Sequence, residues 1–291
     1  MRAALLLPVL VCGARALSFC DPDDAWTAEW ADEFEGGALD ESKWSVITGA
    51  NLGACRSAVC DAEDVYLEDG ALVLRSRRSD GGGANFTTGA VWTLGKAAWS
   101  HAPAFRLCVA AALPGGGGGG RGQGVWPAHW LMPEDASCDP DEGEPDVLEM
   151  VSGDGLAVTT YHWQTTYPAA NCSYPDGHLE VTASTPMPDD WGSAYHEYAV
   201  ERAHDRVAYV IDGVTVLNAS ADAADPAAPL FWPVPFHLIL NTAIGGAWPG
   251  EPDARTVFPT YHRIDYVRVA RAVTPASEMP RAARRAPGRC D

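Results

Sequence analysis

Short runs rich in Val, Leu, Tyr, Phe and Trp recur along the chain between clusters of Gly, Pro, Asp and Asn. They fall at Val65–Leu67, Ala71–Arg75, Phe105–Leu113, Val147–Val151 and Leu156–Trp163, and again at Glu197–Glu201, Arg206–Ile211, Phe236–Asn241 and Arg263–Val269. Runs of this length and spacing predict strands. Arg206-Val-Ala-Tyr-Val-Ile211 leads into Asp212-Gly213, a pair suited to the tight turn of a hairpin. No long stretch has helical periodicity. The expected fold is therefore all-β, with many short antiparallel strands burying their apolar faces in a sandwich or barrel.

One of these runs carries an unusual density of acid. In Gly143-Glu-Pro-Asp-Val-Leu-Glu-Met150, Glu144 and Asp146 share a face of a regular strand, whereas Glu149 falls on the other. A β-bulge at Val147-Leu148 restores it, because one extra residue re-aims everything that follows. With the bulge, Glu144 and Glu149 can approach the separation of about 5 Å that a retaining glycosidase needs. Crowded carboxylates repel, which raises at least one pKa and allows a general acid and a nucleophile to coexist. By themselves the acids are equally compatible with a solvated strand or a calcium site, since the stretch from Glu134 to Glu144 is acid-rich throughout.

Charge and chain ends narrow the context. Met1-Arg2 precedes an apolar stretch from Ala3 to Cys12 and then Ala14-Arg15-Ala16, the pattern of a secretory signal peptide over residues 1–16. About ten apolar residues are too few to span a bilayer, so an exported protein without a membrane anchor is expected; the rival reading is a buried first strand. The formal charge of −19 is unsuited to phosphate backbones, which argues against a nucleic-acid partner. The remaining chain is the size of one all-β domain, taken here as residues 17–271, and a monomer is expected. From 272 to 291 it becomes an Arg-, Pro- and Ala-rich tail, expected to be disordered.

Of eight cysteines, Cys12 lies in the leader. Export favours disulfides over metal binding for the others: Cys55 with Cys60 would close a local loop, and Cys20 with Cys290 would tie the two ends. Three sequons, at Asn85, Asn171 and Asn218, suit a glycosylating route. The glycine run 115–120 lacks the Lys-Ser/Thr of a phosphate loop and is expected to be a flexible surface loop.

Two aromatic segments accompany the acids: Gly124-Val-Trp-Pro-Ala-His-Trp-Leu-Met-Pro133 and Asn241-Thr-Ala-Ile-Gly-Gly-Ala-Trp-Pro-Gly250. Tryptophan faces suit stacking on pyranose rings. With Trp30-Ala-Asp-Glu-Phe34, Leu67-Glu-Asp-Gly-Ala-Leu-Val-Leu74 and Arg263-Ile-Asp-Tyr-Val-Arg-Val269, these segments resemble glycoside hydrolase family 16, and within it the endo-β-1,3-glucanases, or laminarinases. The spacing E-x-D-x-x-E is the bulged form of laminarinases, agarases and carrageenases; lichenases and xyloglucan transglycosylases have E-x-D-x-E.

The resemblance implies a β-jelly roll of two antiparallel sheets, with a concave cleft for internal, configuration-retaining cleavage of a long β-glucan. It makes Glu144 the nucleophile, Asp146 the assisting acid and Glu149 the acid/base. It sets His162 beside the carboxylates, makes Trp126, Trp130 and Trp248 sugar platforms, and has Arg106, Asn51 and Asn241 line or border the cleft. Catalysis needs no cofactor, but a structural calcium is expected on Asp265 with main-chain oxygens near Glu33 and Gly70. Alternatives are a non-catalytic glucan-recognition protein on the same fold, a transglycosylase, or a hydrolase of mixed-linkage glucan, agar or carrageenan. Departures from the family pattern are Pro145, Ala104-Phe105-Arg106, and Asn51-Leu-Gly-Ala-Cys55.

Overall fold

The computed structural model describes residues 18–51, 53–79, 85–116, 121–135, 142–164, 177–222, 224, 228, 229 and 231–273. Its strands are β1 (Trp26–Asp32), β2 (Ser45–Val46), β3 (Val59–Cys60), β4 (Val65–Glu68), β5 (Ala71–Arg78), β6 (Phe86–Thr88), β7 (Ala90–Trp92), β8 (Phe105–Ala112) and β9 (Val125–Pro133). They continue with β10 (Glu144–Glu149), β11 (Leu156–Gln164), β12 (His178–Pro186), β13 (His196–Arg202), β14 (Arg206–Ile211), β15 (Val214–Ser220), β16 (Phe236–Ile244) and β17 (Thr260–Ala272). All nine expected runs fall in or overlap strands. The turn at Asp212-Gly213 joins β14 to β15 with φ of 47° and 75°, the positive pair a two-residue hairpin turn demands.

The strands form two sheets. Ten make one, ordered β15-β14-β13-β8-β17-β5-β6-β3, with β1 also on β17 and β4 also on β5; seven make the other, ordered β12-β11-β10-β9-β16-β7-β2. Every ladder is antiparallel except β3 with β6. One apolar cluster joins the sheets, drawing Leu72, Leu107 and Val109 from the larger and Val147, Leu148, Tyr161, Leu238 and Leu240 from the smaller. Each fully buried side chain of this kind contributes about 1.5–3 kcal/mol. A polar contact crosses the same interior: His129 Nε2 on β9 lies 2.9 Å from His262 Nε2 on β17, both side chains fully buried. This is the all-β jelly-roll sandwich expected from the sequence.

Two expectations about loops and ends are corrected. Cys55 does pair with Cys60, but Cys20 pairs with Cys108, not Cys290, at a Cα separation of 5.9 Å. The amino-terminal segment thus lies against the outer face of β8, while Cys290 falls outside the described residues. Gly115 and Gly116 are not a free loop: a Cβ on Gly115 would come within 3.1 Å of Gly122 Cα, and one on Gly116 within 3.2 Å of Gly192 Cα. These backbones pack directly against one another. The rest of the run, 117–120, is outside the described residues, as are the leader, the tail from 274 and Asn171.

Candidate active site

Strand β10 lies inside the seven-stranded sheet and carries the three acids. Its register against β11 runs Glu144↔His162, Pro145↔Tyr161, Asp146↔Thr160, then jumps to Glu149↔Val158; against β9 it slips between Asp146↔Trp130 and Leu148↔His129. The expected bulge is therefore present. Val147 and Leu148 both enter the core, and Glu149 returns to the open face with Asp146. Ala128 stands opposite Glu149, a small neighbour that leaves room for the carboxylate.

Two residues explain how β10 begins. Gly143 has φ of +96°, and a Cβ there would lie 2.5 Å from the Tyr161 hydroxyl, so neither the backbone nor the space admits a side chain. Pro145 is tolerated because the ladder to β9 starts only at Asp146; proline sits at the strand entrance, where one flank has not yet paired.

The acids differ in their surroundings. Glu149 accepts a hydrogen bond from the Trp126 indole N–H, 3.0 Å to Oε1. Burial pushes its pKa up from 4.5 to about 7, while that bond and the nearby His162 and Arg56 pull the other way. Desolvation wins, so Glu149 holds a proton near neutrality and can deliver it. Asp146 is buried, and Oδ2 lies 3.0 Å from His162 Nε2. Glu144 stands opposite His162 at the start of the strand, with less burial than Asp146. One carboxyl able to donate, one held by an imidazole and one more open form an arrangement suited to acid-assisted displacement at an acetal carbon.

The aromatic platforms come from alternate positions of β9. Trp126, Ala128, Trp130 and Met132 share the open face, while Val125, His129 and Leu131 are fully buried behind it. Trp248 is 48 % exposed and meets Trp126 edge-on, ring centroids 5.1 Å apart. Trp130 donates from Nε1 to Asn241 Oδ1 at 2.9 Å, and Asn241 Nδ2 donates to the Ala54 carbonyl at 2.7 Å. Asn241 thereby clamps an indole to the Cys55–Cys60 loop. Asn51 caps that loop, its Oδ1 accepting from the Ala54 N–H at 2.9 Å, and with Trp130 lines a pocket of about 360 Å3.

Arg106 is corrected: it does not reach this face. It lies on β8 of the other sheet, where Nε and Nη2 donate to Glu201 Oε1 at 2.9 and 2.7 Å, Nη1 donates to the Phe19 carbonyl at 2.8 Å, and the Phe19 ring covers it. The guanidinium is consumed in docking the amino-terminal segment. Other residues of the open face went unrecognised in the sequence. Arg56 lies over the Trp126 ring at 5.0 Å, Trp92, His237 and Ile239 line the pocket beside Trp130, and His178 and Glu180 flank His162. None has a local motif; they gather here through the strand order.

For the expected calcium, β17 offers Asp265 at a bulge between Ile264 and Tyr266 in its register with β8. On the other side β17 pairs β5 up to Ile264↔Leu72 and β1 from Asp32↔Val267, which brings the stretches next to Gly70 and Glu33 towards Asp265. The Glu33 carboxylate itself is spent on Arg268, at 2.8 Å to each oxygen, so only its main-chain oxygen is on offer.

Comparison with known proteins agrees with this architecture. The model of glycosyl hydrolases family 16 matches residues 117–268. A beta-glucanase of Rhodothermus marinus is 30 % identical, with 94 % of this chain and 95 % of that protein aligned. Glucan endo-1,3-beta-glucosidase A1 of Niallia circulans is 29 % identical over 82 % of this chain, which spans 37 % of that longer enzyme. Among solved structures, the laminarinase catalytic domain of Thermotoga maritima MSB8 superposes with a TM-score of 0.72 at 27 % identity, covering 86 % of this chain and all of that one (100 %). More than half of the sequence fits the family model and 86 % of the chain superposes on a solved laminarinase domain, so this chain belongs to glycosyl hydrolase family 16 and is a glycoside hydrolase of polysaccharide.

Proposed function

We propose that the protein is a secreted, retaining endo-glycosidase that cleaves internal β-glucosidic bonds of a laminarin-like β-1,3-glucan by double displacement. Glu144 attacks the anomeric carbon as Glu149 gives its proton to the departing glycosidic oxygen. Glu149, now ionised, takes a proton from water, and that water displaces Glu144 with a second inversion. Asp146, hydrogen-bonded to His162, lies between them on the strand and steadies the charge that passes across the face. Sugar rings would stack on Trp126, Trp130 and Trp248, with Asn51 and Asn241 holding the loop around Ala54.

The observation that carries this reading is the half-buried Glu149 carboxyl, held by the Trp126 indole on the same strand face as two further acids, with desolvation pushing its pKa up to about 7. Preference for a neutral glucan is supported by the position of Arg106, which is docked on the other sheet and adds no cation to the cleft. We further propose that residues 1–16 direct export and that the catalytic domain acts as a monomer. It runs from 17 to 273, two residues past the expected 271, because Ala272 ends β17 and the Val273 N–H bonds the Ala25 carbonyl; the remainder to 291 is a tail. No helix among the described residues is long and apolar enough to cross a membrane. Catalysis needs no cofactor; a calcium at Asp265 would serve the fold, since oxygen ligands suit that ion.

The test is release of reducing ends from laminarin, mixed-linkage glucan, agarose and carrageenan by the wild type and by Glu144→Gln. Laminarin cleaved into oligosaccharides with retained configuration, and lost in the variant, is expected. A wild type as inert as the variant, with both still binding laminarin, would leave only glucan recognition.

A further inference from the structure

On the flank of the open face away from the Asn51–Trp92 pocket, two strands bring three metal-ligating side chains together. His162 on β11 stands opposite Glu180 on β12, and Gln164 stands opposite His178. The period of two puts His162, His178 and Glu180 on one face. Their ligand atoms converge: His162 Nδ1 is 2.8 Å from His178 Nε2 and 3.4 Å from Glu180 Oε2, and the three ligand atoms lie within 4.8 Å of one another. Among the described residues no other three His, Cys, Asp or Glu side chains meet in this way.

The 3.4 Å between His162 and Glu180 is what a small cation imposes, and the 2.8 Å between the two imidazole nitrogens, a hydrogen-bond distance, would open by about 0.6 Å as an ion replaced the shared proton. Two donors bonded at 2.0–2.1 Å in tetrahedral geometry lie roughly 3.4 Å apart. The donor set of two imidazoles and one carboxylate suits zinc-class ions over magnesium or calcium. His162 also presents its other nitrogen, Nε2, to Asp146 Oδ2 at 3.0 Å. An imidazole that binds metal through one nitrogen while a carboxylate holds the other is oriented as metal-bound histidines commonly are. The imidazole rings of His162 and His178 lie within 23° of parallel, centroids 5.0 Å apart, so they must tilt towards each other for both in-plane lone pairs to face one ion.

We propose that His162 Nδ1, His178 Nε2 and a Glu180 carboxylate oxygen form a binding site for a zinc-class divalent cation, which closes the β11–β12 flank of the cleft to substrate when filled. Three protein ligands leave a fourth position for water, as in open zinc sites. The ion would occupy space beside Asp146 that a sugar chain must cross, and would fix the His162 ring that holds Asp146. Binding stands on the three side chains alone; the closing of the cleft rests on the hydrolase reading above.

The experiment uses the full chain, stripped with EDTA and dialysed, and titrates it with ZnCl2 in a calorimeter beside His178→Ala and Glu180→Gln. The wild type is expected to bind one zinc at this site, and each variant, lacking a ligand, to bind it at least about 10-fold more weakly, since losing even a hydrogen-bonding partner of a ligand costs roughly 10–100-fold. The Glu180 side chain is half exposed, so Glu180→Gln keeps the comparison valid even if His178→Ala fails to fold; circular dichroism checks both. No zinc uptake by the wild type, or uptake unchanged in the variants, overturns the proposal, since zinc on a cysteine thiol would persist in them. Laminarin hydrolysis is expected to be inhibited by zinc in the wild type and resistant in Glu180→Gln; equal inhibition in both overturns the closing of the cleft. Zinc bound through these residues by a protein that cleaves no laminarin would leave the metal site standing and remove the proposed substrate.

Discussion

The indole N–H of Trp126 points at Oε1 of Glu149 from 3.0 Å, so a residue expected to serve as a sugar platform also sets the acidity of the proton donor. A hydrogen bond to the ionised carboxylate lowers its pKa, and here it opposes the rise caused by burial. Trp126→Phe keeps an aromatic face but removes the donor. The Glu149 pKa should rise further, and the alkaline limb of the laminarin pH–rate profile should move to higher pH even as kcat falls. A limb that stays in place would separate Trp126 from proton transfer.

Glu149→Gln should abolish proton delivery, with a loss of about 10²–10⁴-fold in kcat on laminarin. On an activated aryl glycoside whose leaving group needs no proton the loss in kcat/KM should be far smaller, while kcat stays low because Glu149 also activates the water of the second step. The same variant makes a stability prediction. A carboxyl whose folded pKa of about 7 lies above its unfolded value of 4.5 favours folding in its protonated form, and that contribution is lost as pH rises from 4.5 through 7. Glutamine carries no charge at any pH. Melting temperatures should therefore show Glu149→Gln stabilised relative to wild type at pH 8, with the difference shrinking or vanishing by pH 5.

Asn241 is 2 % exposed and joins Trp130 to the Ala54 carbonyl. Asn241→Ala strips a donor from one partner and an acceptor from the other, and should cost about 1–3 kcal/mol of stability in urea unfolding. Loosening Trp130 should raise KM for laminarin more than it lowers kcat. An unchanged KM would mean that Trp130 does not meet substrate.

His129 and His262 lie between the sheets, and burial holds both well below the usual imidazole range, His262 at about 3. Each is neutral when folded but protonates near pH 6.5 when unfolded. Stability is complete above that value and falls as pH drops below it, by about 1.4 kcal/mol per pH unit for each histidine. Unfolding free energies of His129→Leu/His262→Leu should decline less steeply than wild type between about pH 6 and pH 4. Equal slopes would locate the acid sensitivity elsewhere.

Several of these features could be read directly from the chain. Alternation and the Asp212-Gly213 pair announced the strands, and the odd interval from Asp146 to Glu149 required a bulge because a pleat has a period of two. Arg106 was placed at the cleft by the family resemblance, not by its own strand pattern. All eight residues of β8 are buried and the strand belongs to the sheet behind the cleft, a placement that alternation within one strand does not reveal. What covers the outer face is the segment around Phe19, tied down by Cys20, whose partner lies 88 residues away; cysteine counting cannot supply such a pairing. Arg56, Trp92, His178 and His237 escaped notice because strand order and register, rather than sequence proximity, bring them to the face.

The bulge in β10 also bears on how this strand can change over time. Val147 and Leu148 are both committed to the interior, and the acids on either side are committed to the open face. Removing one of the two would leave the spacing E-x-D-x-E, in which a regular pleat by itself keeps the three acids on one face, whereas inserting a further residue would turn Glu149 towards the core. The bulged and the regular spacing are thus a single residue apart, and the step between them withdraws one aliphatic side chain from the interior while the acids keep their face.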